Sequence, residues 1–115
     1  MKALLKSIGS IDHDLTLYFP EDENEFGIML SLSIGSSESN GADYFNLFVC
    51  SPGWIDKNQW IPEILRHTLI IRKYNLDEIT GIINKYIEQC SCKTWAETAQ
   101  KLSRYFAWEF EDYTE

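Results

Sequence analysis

The sequence predicts a single α+β domain: a mostly antiparallel sheet of about four strands with helices packed on one face, in the order β-β-β-α-β-α-α. Alternating apolar and polar residues mark strands in the first half of the chain, most clearly at residues 26–34. Two segments of the second half carry apolar residues at helical spacing, and each is preceded by a capping residue. The short link between the second and third strands indicates a hairpin, and therefore antiparallel pairing. A length of 115 residues fits one domain, taken as residues 1–115.

The first three strands are predicted in the N-terminal half, over residues 2–8, 26–34 and 44–50. In the first strand we expect Leu4 and Ile8 on one face and Leu5 on the other. The link between the second and third strands contains Asn40 and Gly41, which are typical turn residues. The third strand is rich in aromatic and branched side chains, which favour extended structure.

A short helix is predicted from Pro52 to about Gln59, because proline suits the first turn of a helix. A fourth strand is predicted over residues 67–74. Near the end of the chain, Trp108 and Phe110 alternate with acidic residues, which indicates a half-buried extended segment.

Two longer helices follow the fourth strand, and capping residues define where each begins. Asn75 and Glu78 have the spacing of a cap and the third helical residue. Thr94 and Glu97 form the pattern of a capping box. Gly81 lies inside the first of these helices, where glycine is unfavourable, so we expect it to mark a site of close packing.

The acidic charge of the chain is regional. The net charge is −8, and no lysine or arginine occurs between Lys6 and Lys57, a stretch of fifty residues with nine acids. A regional negative field favours a basic partner. It makes nucleic acid and anionic membrane surfaces unexpected partners, because both require clustered cations.

Neither a membrane segment nor a disulfide framework is expected. No apolar run approaches the roughly 18 residues that a membrane-spanning helix needs. The three cysteines are an odd number, and reduced thiols fit the cytosol. The expected location is therefore cytoplasmic.

No metal or other cofactor is predicted, and an enzyme is the less favoured alternative. Cys90 and Cys92 are too close for a usual zinc pair, and His13, His67 and Cys50 are far from them in sequence. A Cys50 thiolate paired with His67 across the sheet is one catalytic alternative.

Paired carboxylates are a second catalytic alternative, although runs of acids in loops are more often solvated. These acids are Asp12 with Asp14, Glu21 with Asp22 and Glu23, and Glu109 with Glu111. A third alternative is a generic acidic interaction module, such as a homodimer joined along a sheet edge.

Two uses are considered for the tryptophans: packing in the core and contact with a partner. Trp95 lies on the apolar face of the last helix and is expected in the core. Trp54 and Trp60 flank the short helix; interfaces favour tryptophan, but core packing is the more common use of each.

An ordered set of short motifs spans residues 1 to about 113. The set is Tyr18-Phe19-Pro20-Glu21-Asp22, Phe26-Gly27, Ile34-Gly35, Val49-Cys50-Ser51-Pro52 with Trp54, Arg66-His67, Thr94-Trp95 and Trp108-Glu109-Phe110-Glu111-Asp112-Tyr113. With these motifs the chain resembles the immunity protein 8 family, small bacterial proteins associated with polymorphic toxin systems. The resemblance implies an α+β fold, no catalytic residues, and a role in binding and neutralising a toxin of the same cell or its siblings.

The acidic field and the resemblance together predict where such a toxin binds. Many toxin domains are nucleases with basic clefts, and an acidic inhibitor would be steered to such a cleft. The expected toxin-binding residues are Asp12, Asp14, Glu21, Asp22, Glu23, Glu25, Trp54, Trp60, Glu109, Glu111 and Asp112.

Overall fold

The computed structural model describes residues 1–111, which form one α+β domain of five strands and three helices. The strands are β1 Ala3–Ser10, β2 Gly27–Ser36, β3 Asp43–Cys50, β4 Thr68–Ile70 and β5 Ala107–Trp108. The helices are α1 Pro52–Asn58, α2 Leu76–Cys90 and α3 Trp95–Leu102. The predicted fold class and element order are confirmed, and β5 is added at the end.

The sheet is mostly antiparallel, as predicted. Strands β1, β2 and β3 are neighbours in that order, and both pairs are antiparallel. The far edge of β3 is shared: its last residues pair in parallel with β4, and its earlier residues pair antiparallel with β5. The two short strands therefore complete one edge of the sheet.

The core lies between the sheet and the two longer helices. The alternation predicted for β2 is confirmed, since Ile28, Leu30, Leu32 and Ile34 are buried while Met29 is exposed. The four buried residues belong to one apolar cluster with Ile79, Ile83 and Ile87 of α2. Burial of these aliphatic side chains is the main stabilising contribution to the fold.

Both longer helices begin directly after their predicted capping residues. The side chain of Asn75 accepts a hydrogen bond from the Glu78 amide at 3.0 Å, and Thr94 accepts one from Glu97 at 3.2 Å. The close packing expected at Gly81 is wrong: a Cβ added there would meet no atom within 4 Å.

The predicted faces of β1 are wrong because the strand contains a bulge. Leu5 pairs with Ile34 and Ser7 pairs with Ser33, so Lys6 is an extra residue. The bulge reverses the alternation after Leu5, and Leu5 and Ile8 both pack on the core while Leu4 is exposed.

The fourth strand and the final extended segment are both shorter than predicted. β4 has three residues, because the chain turns after Ile70 and the buried Tyr74 donates its amide hydrogen to the Glu23 carbonyl at 2.8 Å. After Trp108 the chain turns, and the Glu111 amide bonds to the Trp108 carbonyl. Asp112 and Tyr113, which end the motif that begins at Trp108, lie outside the described residues.

Candidate protein-binding surface

A groove lies between the acidic loop, residues 11–26, and helix α1. Ser51, the fully buried N-cap of α1, fixes the two sides together. Its hydroxyl oxygen accepts hydrogen bonds from the amides of Phe26 at 3.0 Å and Trp54 at 3.3 Å. The end of the loop and the start of the helix therefore have a set relative position.

Trp54 forms the helical wall of this groove. Its ring packs against Phe48, with 4.9 Å between ring centroids, on the sheet face opposite the core. It also covers Gly27, where an added Cβ would lie 2.7 Å from the indole nitrogen. The absence of a side chain at Gly27 thus lets the Trp54 ring approach the backbone of β2 closely.

Aromatic rings attach the acidic loop to the body. The Tyr74 ring contacts the rings of Tyr18, Phe19 and Phe26 in edge-on arrangements, at centroid distances of 5.1, 6.0 and 5.2 Å. Tyr18 is half-buried in this cluster, whereas Phe19 stays largely exposed. The loop consequently has an apolar side fixed to the fold and a side that faces solvent.

Acidic side chains line the groove, which we call the acidic groove. Its volume is about 920 Å³, and its lining includes Asp12, Asp14, Glu21, Asp22 and Glu25 together with Trp54 and Lys57. Apart from Lys57, these are six of the eleven residues predicted to bind a partner. The structure therefore brings together five of the six candidate acids in residues 12–25 and one of the two candidate tryptophans.

Local side-chain partners contact two of the five groove acids, Asp14 and Glu25. The hydroxyl of Thr16 donates to Asp14 at 2.7 Å and lowers the pKa of that carboxyl. Lys57 pairs with Glu25 at 2.7 Å, and this hydrogen bond raises the pKa of the lysine. The groove lining thus contains five carboxylates and one ammonium group, which leaves four negative charges in excess.

The other predicted acids contact separate parts of the fold. Glu23 pairs with Lys73 at 3.0 Å. Glu109 accepts a hydrogen bond from the Tyr44 amide at 2.9 Å. Glu111 pairs with Arg66 at 2.6 Å, and this hydrogen bond lowers the pKa of the carboxyl. Asp112 lies outside the described residues.

A second exposed feature follows α1, and most of it was missed by the sequence analysis. We call residues 60–65 the apolar segment: Trp60 is 80% exposed, Ile61 is 74% exposed and Ile64 is 92% exposed, and Leu65 is also exposed. Core packing, the more common use of tryptophan, is therefore wrong for Trp60. A sequence signal could have revealed this exposed segment. Large apolar residues surround a proline there, and their spacing matches neither one face of a strand nor one face of a helix.

The catalytic pair considered from the sequence does not form. Cys50 is fully buried, and burial raises the pKa of its thiol, which is the reverse of nucleophile activation. Cys50 is opposite Ile70 in the sheet, whereas His67 precedes Thr68, which is opposite Phe48. Three residues of strand place the two about 10 Å apart, and the His67 ring nitrogen bonds the Ser103 carbonyl at 2.9 Å.

A second concavity, of about 340 Å³, lies between β4, α2 and residues 104–106, which follow α3. Its lining is mostly apolar and aromatic, with His67 and Arg104 as its basic groups. The rings of Tyr86 and Tyr105, which also line it, are stacked 4.8 Å apart. No carboxylate lines this concavity, so the paired acids considered for catalysis are not there.

The described residues contain neither a membrane-crossing helix nor a group of metal-binding side chains. Among residues 1–111, no helix has both the length and the apolar character needed to cross a membrane. In the same part of the chain, no three His, Cys, Asp or Glu side chains are grouped so that they could hold a metal ion.

The fold and this surface define a class: a small α+β protein that presents an acidic groove and exposed apolar side chains. A comparison with protein-family models identifies the family. The model of Immunity protein 8 matches residues 3–113, nearly the whole chain, and the chain therefore belongs to this family. The family indicates an immunity protein, which is consistent with toxin neutralisation. No curated protein and no solved structure gave a significant match.

Proposed function

We propose that this protein binds a cognate toxin domain in the cytoplasm, one molecule to one, and neutralises it by occupying a basic surface of the toxin. The toxin belongs to a polymorphic toxin system, and the inhibitor acts by binding and not by catalysis. The observation that carries the proposal is the acidic groove in a chain of the immunity protein 8 family.

Electrostatics explains why such a groove suits a nuclease-type toxin. A cleft that binds phosphates is lined by lysine and arginine, and a surface with an excess of carboxylates is complementary to it. Complementary fields accelerate the encounter of two proteins by one or more orders of magnitude at low salt. The carboxylates would then occupy the positions that substrate phosphates take.

Packing in the groove also suits a binding role. Trp54 packs against Phe48 and Gly27, and Ser51 fixes the helix to the end of the acidic loop. A surface whose shape is set before binding loses little conformational entropy when the partner arrives.

The test is a titration of the toxin domain encoded by the adjacent upstream reading frame. We expect the two chains to co-purify, and the mass of the complex to equal one copy of each. Toxin activity should fall to background at one equivalent of this protein. Full toxin activity in the presence of excess protein, with no complex formed, would refute the proposal.

A further inference from the structure

The apolar segment presents large side chains that the other residues of the described range, 1–111, leave largely uncovered. Three of its four apolar residues are more than 70% exposed. Burying large aliphatic or aromatic side chains is favourable, so a group of them left exposed together indicates a surface that is covered in a complex.

Hydrogen bonds hold the apolar segment in one shape. The indole nitrogen of Trp60 donates to the Lys57 carbonyl at 2.7 Å. The side-chain amide of Gln59 donates to the Ile61 carbonyl at 2.8 Å and to the Glu63 carboxylate at 3.1 Å. These bonds fix the first part of the segment, residues 60–63, beside α1, which reduces the conformational entropy that Trp60 and Ile61 would lose on binding.

The apolar segment adjoins the acidic groove at Lys57. The Lys57 ammonium group pairs with Glu25 and lines the groove, while its carbonyl accepts the hydrogen bond from Trp60. One continuous surface thus contains an apolar part and a strongly acidic part.

Charge identifies the kind of molecule that covers this surface. The groove has five carboxylates and one ammonium group, so a second copy of this chain placed on it would bring like charges together. The complementary occupant is a different protein, with an apolar pocket beside a cluster of lysine and arginine.

We propose that residues 60–65 are the apolar anchor through which this protein holds its toxin domain, with Trp60 at the centre of the contact. The inference rests on the proposed function and deepens it, because it assigns separate roles to the two parts of the surface. The acids accelerate association, and the apolar side chains slow dissociation. Buried tryptophans at the centre of interfaces commonly account for most of the affinity.

The experiment measures association and dissociation rates for the toxin domain encoded by the adjacent upstream reading frame. The variants are Trp60→Ala and Ile64→Ser, and the matched control is Tyr44→Ala, which removes an exposed ring from β3. All three should unfold at the wild-type temperature, since these side chains are largely exposed. We expect Trp60→Ala to dissociate about thirty-fold faster, with an association rate within about threefold of wild type. Ile64→Ser should also dissociate faster, and Tyr44→Ala should behave as wild type.

Three other outcomes would contradict the proposed anchor, and they differ in what they imply for the proposed function. If the wild-type protein binds the toxin domain and both segment variants dissociate at its rate, the anchor is refuted while the proposed function stands. A wild-type protein that does not bind would refute the proposed function and the anchor with it. If the wild-type protein sediments as a dimer that Trp60→Ala abolishes, the occupant is a second copy and the inference is wrong.

Discussion

Asp43 joins three parts of the fold through one carboxylate oxygen. This oxygen accepts hydrogen bonds from the indole nitrogens of Trp95 at 3.0 Å and Trp108 at 2.9 Å. Asp43 begins β3, Trp95 begins α3 and Trp108 ends β5. One of the nine acids in the stretch between Lys6 and Lys57 therefore has a structural role in the fold.

Replacing Asp43 by alanine should destabilise the domain. Two partly buried indole donors would lose a charged acceptor, at a cost of about 2–3 kcal/mol. The measurement is urea unfolding, with Asp56→Ala on the exposed side of α1 as the control; this variant should stay within about 0.5 kcal/mol of wild type. Equal stability of the two variants would show that the Asp43 hydrogen bonds contribute nothing.

The residues that the sequence could not place are those fixed by contacts distant in the chain. Trp95 and Trp108 were predicted on apolar faces, and both do pack against the core cluster. Their shared hydrogen-bond acceptor was not predictable, because Asp43 is more than fifty residues from Trp95. Likewise Lys73 and Arg66 neutralise Glu23 and Glu111 across long separations, so the local count of charges overstated the free acids.

Elements with a local signal were predicted well, and elements that depend on tertiary contacts were not. The caps at Asn75 and Thr94 begin both helices as expected, since capping involves only neighbouring residues. The bulge at Lys6 left no such signal. The Lys6 ammonium group donates to the carbonyls of Ser39 and Gly41, in the loop that follows the partner strand.

Two glycines should respond to alanine in opposite ways, because their surroundings differ. At Gly27 an added Cβ would lie 2.7 Å from Trp54 and 2.8 Å from Phe48, and overpacking of this kind costs about 1–3 kcal/mol. At Gly81 nothing lies within 4 Å, and alanine should stabilise α2 by about 0.5–1 kcal/mol. Urea unfolding of the two variants tests both signs. A neutral Gly27→Ala variant would mean that Trp54 moves freely on the sheet.

At the scale of the whole molecule, the acidic charge is arranged unevenly around the sheet. The central strand β2 has no charged residue, while the loop before it lines a groove with five carboxylates. This division is visible in the sequence, where residues 26–34 contain no charged residue and residues 12–25 contain six acids. The sequence could not predict that Trp54 and Lys57 form the opposite wall, because the groove exists only once α1 packs beside the loop.

The structure also changes which acids give an informative test of recognition. Glu23 and Glu25 pair with Lys73 and Lys57, so reversing their charge would create repulsion within the fold. Asp12 and Glu21 line the groove and are exposed. Reversing these two changes the field of the groove with the least effect on stability.

Recognition through the acidic groove is tested by a variant with both Asp12→Lys and Glu21→Lys. The quantity to measure is the rate at which this double variant associates with the toxin domain. The control is Glu38→Lys with Glu88→Lys, which changes the net charge equally through exposed residues that do not line the groove. At low salt we expect the groove variant to associate about tenfold more slowly than the control. This difference should shrink at physiological ionic strength, because salt screens exposed charges. Equal rates for the two variants would show that net charge, and not the acidic groove, governs recognition.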